Sequence, residues 1–206
     1  MRRLYMDVND LTPRGDGPAM YAVFGGSDRE LTLCGVRVYA MPVRDRMRAY
    51  DISRDCLGID FLFDDMPERP SFYPAPYMTA FARDRAGGWF CSRGDCPDMS
   101  EADVAVYYVD AECRCVYLAR NLRALMAAAV FDTGALRRAG CAGAAEPLSY
   151  EQMQYMVDKL ALQACQAAPA DEVRPADEVR VYLCRELAER ELEFVEPMSS
   201  MFDGGL

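Results

Sequence analysis

Two periods of apolar residues run along this chain, and the switch between them marks its organisation. "LTLCGVRVYAM" (Leu31 to Met41) is rich in β-branched and aromatic residues and predicts a strand. Before it, "AMYAVFGG" (Ala19 to Gly26) is a short apolar element closed by two glycines, readable as a helical turn or a brief strand. After it, Pro42 opens "VRDRMRAYD", which reads as a short helix with charged faces. "CLGIDFLF" (Cys56 to Phe63) is a further strand candidate, and "SFYPAPY" (Ser71 to Tyr77) is extended, because residues before proline are pushed out of the helical region. "MTAFAR", "GWFCSR", "VAVYYVD" and "CVYLA" then follow at short spacing with polar or glycine turns between them, the pattern of an antiparallel meander.

From Ala119 the period lengthens. "ARNLRALMAAAVF" places Leu122, Leu125 and Met126 in an alanine-filled helix. Residues 132–148 are rich in Gly and Ala and read as a linker. Ser149 with Gln152 three places on is a capping-box pattern, and Met153, Met156, Val157, Leu160 and Ala164 then share one helical face. "PADEVR" occurs twice in tandem, at 169–174 and 175–180. Two copies are too few for a solenoid. The segment is assigned to a hinge, with its second copy starting a last helix on Val179, Leu183 and Leu187.

Composition narrows the chemistry. The 206 residues contain no histidine, which removes Ser-His-Asp triads, Cys-His dyads, His-ligated zinc and His general bases. Nine cysteines without a regular framework, and an N-terminus lacking an apolar run behind its charges, point to reduced thiols in a cytoplasmic protein. The longest apolar run, Ala124 to Phe131, is under half of what spans a bilayer, so no membrane partner is expected. A net charge of -10 argues against nucleic acid and favours a basic partner, or serves solubility alone.

Three groupings carry possible chemistry. Cys91, Cys96, Cys113 and Cys115 could form a Cys-only zinc site if two hairpins touch, although neither spacing is the usual two-to-four-residue knuckle. Acidic residues cluster at Asp60, Asp64, Asp65 and Glu68, and again at Asp95, Asp98, Glu101 and Asp103, where they read as a solvated rim able to face a basic partner. Aromatics are dense between 70 and 110. Neighbours such as Tyr107 and Tyr108 face opposite ways on a strand, so one of each pair is expected at the surface, where aromatics anchor interfaces. In "FARDRAGGWFC", Asp84, Gly87 and Gly88 are expected to shape a turn. No cofactor is implied.

The order of elements resembles the SUKH superfamily, which includes yeast cell-wall synthesis regulators, bacterial immunity proteins and viral relatives. "LCGVRVYAMPVRDRMRAY", "YMTAFARDRAGGWFC" and "VAVYYVDAECRCVYLARNLRALM" carry the resemblance, in order, over about residues 19–131. The glycine-bearing "DLTPRGDGPAMYAVFGG" departs from the helix usual there. The resemblance implies an α+β fold, a twisted and mostly antiparallel sheet flanked by helices. It also implies a non-enzymatic protein that neutralises a cognate toxin by stoichiometric binding. The domains expected are a SUKH-like unit at 1–131, the linker at 132–148 and a C-terminal helical extension at 149–206 packed on it. Asp64, Asp65, Tyr73, Trp89 and Tyr108 are the expected partner-binding residues. A regulatory or host-interaction adaptor of the same superfamily is the alternative, followed by a Cys-only zinc protein.

Overall fold

The computed structural model describes residues 20–25, 30–65, 70–93, 104–132, 134–142, 146–167 and 172–183. Its centre is the predicted meander. Strands β5 (Met78–Arg83), β6 (Trp89–Arg93), β7 (Val106–Val109) and β8 (Cys115–Ala119) pair antiparallel in chain order. On the other side of β5, strand β2 (Glu30–Val38) pairs parallel with Met78 to Ala80, and the two-residue β3 (Asp60–Phe61) pairs antiparallel with Ala82 and Arg83. Strand β1 (Met20–Gly25) forms a hairpin with β2, so the apolar element before Gly26 is a strand. The fold is α+β, with one parallel pair in an otherwise antiparallel sheet.

Only part of "CLGIDFLF" is strand. Helix α1 (Arg48–Ile52) runs into one π turn at Ser53–Leu57, and Gly58 stops it with φ +75°. A left-handed residue at this position ends a helix at little steric cost when it is glycine. Helix α2 (Leu122–Phe131) begins three residues later than the change of period at Ala119, which is still in β8; the Asn121 side chain caps it by accepting the Ala124 amide at 2.8 Å. The Ser149–Gln152 capping box opens helix α4 (Tyr150–Leu160), whose Met156 is wholly buried. No helix among the described residues is long and apolar enough to cross a membrane.

Two expectations change. The Gly/Ala-rich stretch read as a linker contains helix α3 (Ala135–Arg138), and Leu136, Ala139 and Cys141 are buried in the same core as the sheet. Small side chains that suggested flexibility in fact permit close packing. The second PADEVR copy does not start a helix. Arg174–Pro175 forms β9 on the edge of β8, and Arg180–Leu183 forms β10, paired with β4 (Phe72–Ala75). The helical spacing of Val179 and Leu183 competed with an alternation through Val179, Val181 and Leu183, and the β-branched residues and a strand partner favoured the alternation. Leu187 lies outside the described residues.

The sheet is covered on both faces. Phe90, Val106, Tyr108 and Leu118 pack with α2, α3 and α4 on one side. Trp89, Cys91, Tyr107 and Val109 pack with Phe72, Ala176 and Val179 on the other. Alternation along β6 and β7 therefore sends every second residue into a different core rather than to solvent.

Candidate interaction surface

The opening of the β5–β6 turn is an internal hub. Asp84 Oδ1 accepts the Ala86 and Gly88 amides at 2.9 and 2.8 Å, while Oδ2 accepts the Tyr108 hydroxyl at 2.6 Å and the Ala142 amide at 2.7 Å. One buried carboxylate thus ties the turn to β7 and to the segment after α3. Gly87 turns the chain with φ +88°, and a Cβ on Gly88 would land on the Tyr108 hydroxyl. Burial raises the Tyr108 phenol well above its ordinary range, and the bond to Asp84 raises it further. These groups are saturated by one another and hold the fold.

Burial removes two of the expected partner-binding residues from the surface. Trp89 is 7% exposed and Tyr108 2%, and Tyr107 is buried with them. The expectation that one of the Tyr107–Tyr108 pair faces solvent fails because each face of the sheet has its own cover. Tyr73 lies in β4 opposite Tyr182. Asp64 and Asp65 are exposed, as a rim requires.

Asp64 has a structural task as well. Its Oδ1 accepts the Val43 amide at 3.1 Å, and its own amide donates to the Met41 carbonyl at 2.9 Å. This fastens the segment between β2 and α1, where Pro42 precedes a 3₁₀ turn at Val43–Asp45. Behind the segment, Tyr50 meets Phe61 and Phe63 edge-on at 5.3 and 5.4 Å. Arg46 lies over the Phe63 ring and donates to Asp51, while Arg48 lies over Tyr155 and pairs with Glu151. Burial, then the charges of Tyr39 and Asp45, raise the Tyr50 phenol.

The outward side of this segment carries what the sequence reading missed. Tyr39, Val43 and Met47 are 42%, 41% and 39% exposed, three of the five large apolar side chains that stand open among the described residues. They recur at intervals of four in "YAMPVRDRM". Each of the three stands open on a segment pinned by a hydrogen-bonded aspartate, where an apolar side chain is available for contact.

Cys91, Cys113 and Cys115 belong to one core cluster. Cys91 lies in β6 and Cys115 in β8 with β7 between them, Cys113 occupies a turn at φ +63°, and Cys96 lies outside the described residues. Burial pushes the Cys91 thiol well above its ordinary value and that of Cys115 up to about 12, which keeps both protonated. Among the described residues no group of three or more His, Cys, Asp or Glu side chains is placed to hold a metal ion. Set against family models, curated proteins and solved structures, the chain finds no match.

Proposed function

We propose that this chain is a cytoplasmic, non-enzymatic binding protein that neutralises a basic toxin domain by stoichiometric occlusion, as the resemblance to SUKH immunity proteins implies. The observation that carries the reading is the open segment bearing Tyr39, Val43 and Met47 beside exposed Asp65. The Asp84 carboxylate and the Tyr108 hydroxyl, by contrast, are engaged in holding the fold. In this reading the three apolar side chains are the anchors, since a few central residues carry most of an interface's affinity. An interface of about 1,600 Å² would extend beyond them.

Charge supports the choice of partner. Asp95, Asp98, Glu101 and Asp103 stand in 94–103 without a basic residue, and 184–196 sets Glu186, Glu189, Glu191, Glu193 and Glu196 against Arg185 and Arg190. These stretches hold most of the net charge of -10. Charge of one sign raises encounter rates with a partner of the other, to about 10⁸ M⁻¹s⁻¹ at low salt. The rim at Asp64 and Asp65 contributes to that field; it does not supply it alone.

The test is affinity capture with the purified chain at low and moderate salt, followed by co-expression and calorimetry with a basic toxin domain so recovered. The proposal expects rescue of growth and a 1:1 complex. It is overturned by a complex that forms equally well with Met47→Asp and Val43→Asp, or by substrate turnover that a single carboxylate or thiol substitution abolishes.

A further inference from the structure

The tandem hexapeptide has no part in that surface, yet its two copies occupy unlike places. Val173 of the first copy packs against the helix-covered core, whereas Val179 of the second is buried in the core on the opposite face. Between them β9 pairs Arg174 with Tyr117 and Pro175 with Val116, at the end of the sheet path. The chain therefore crosses from one face to the other at the junction of the copies.

The copies also interlock. Arg174 of the first donates to both carboxylate oxygens of Glu178 in the second, at 3.1 and 3.2 Å, and its guanidinium lies 4.9 Å from the Tyr117 ring centre. Tyr107 donates to Glu178 at 3.3 Å. The matching Glu172 has Ala168 four places before it instead of an arginine, and one of its carboxylate oxygens is buried without a hydrogen-bond partner. Identical residues are thus not interchangeable, and the chain is held in one register.

Among the described side chains of the second copy, Ala176 and Val179 are the buried apolar ones; Val181, just after it, is partly buried, and Arg180–Leu183 pair with β4. The Ala176 amide donates to the Cys115 carbonyl at 3.0 Å, and the Arg174–Glu178 pair is half open to solvent. The opposite face is closed by Leu122, Leu125, Met126, Leu136, Met156 and Leu162. Apolar stabilisation scales with buried area, and segments with few buried contacts open first.

We propose that residues 174–183 form a strap that opens as one unit, while Val173 stays on the helix-covered core, and gives access to the sheet face bearing Cys91 and Cys115. Closure shields those thiols. Opening leaves the Asp84 hub and the helices in place.

Native-state amide hydrogen exchange on the full chain tests this, together with thiol labelling at low denaturant. The Ala176 and Tyr182 amides should share one opening free energy and a shallow denaturant dependence, both below those of Met126 to Val130 in α2. Cys91 should label with the strap's dependence, and Cys141, in the helix-covered core, with that of α2. Val179→Ala should speed strap exchange about tenfold and leave α2 exchange far less changed, consistent with loss of buried methyl groups. Glu178→Gln, on the surface and harmless to folding, should speed it about twofold. Strap and α2 amides that exchange together, strap amides without a common opening, or Cys91 labelling only with α2 would each overturn the proposal.

Discussion

The β5–β6 turn and the segment from Tyr39 to Met47 are built from the same kinds of residue, aromatic and apolar groups beside aspartates, with opposite results. At the turn, Asp84 is surrounded by four donors and Tyr108 is 2% exposed. At the segment, Asp64 spends one oxygen on the Val43 amide while the apolar side chains beside it stand open. A carboxylate near an aromatic ring is therefore no mark of function by itself. The difference lies in whether the hydrogen-bonding and apolar capacity of the group is already satisfied within the chain.

If that distinction holds, substitutions at the turn should damage stability and substitutions on the segment should damage binding. Gly88→Ala should have the largest effect, about 3 kcal/mol lost in chemical denaturation, because its Cβ must displace the Tyr108 hydroxyl. Tyr108→Phe should cost about 2 kcal/mol, the price of one donor missing from a buried carboxylate. Folding raises the phenols of Tyr50, Tyr107, Tyr108 and Tyr117, so the native state resists their ionisation. That contribution is full below the unfolded tyrosine pKa of about 10 and is lost as pH rises above it. Denaturation melts should show an alkaline fall in stability that is shallower in Tyr108→Phe.

On the open segment, Met47→Asp should leave stability within about 0.5 kcal/mol, as surface substitutions do, while weakening the partner complex at least about tenfold. A melting temperature that falls as far as it does for Tyr108→Phe would erase the contrast. The smallest effect belongs to Glu178, whose carboxyl is held below its usual range chiefly by the bond to Arg174. Its contribution is present above the unfolded glutamate pKa of about 4.3 and disappears as pH falls through the lower folded value. For so solvent-accessible a pair the loss should be about 0.3 kcal/mol, seen as a slight acid dependence that Glu178→Gln removes.

Local patterns in the sequence disclosed the local parts of this structure. The four-strand meander, the alanine-filled helix and the Ser149–Gln152 box each depend on residues close together in the chain. What stayed hidden depends on distant partners. Arg180 pairs with Ala75 and Ala142 closes on Asp84, and neither contact leaves a periodicity to read. The same gap misplaced Trp89 and Tyr108, since alternation tells which residues share a face but not what covers it. The spacing of Tyr39, Val43 and Met47 left no element to read, because the segment that carries them is not a regular helix or strand.

The central claim is that the chain works by contact through an open apolar segment in an acidic molecule. Calorimetric titration of a basic partner domain captured by the chain into the wild type and into Met47→Asp addresses it most directly. The account predicts a saturable 1:1 isotherm for the wild type and at least a tenfold weaker one for the variant, on the scale of about 1.4 kcal/mol, with both proteins equally folded. Identical isotherms, or no heat of binding from either protein, would contradict it.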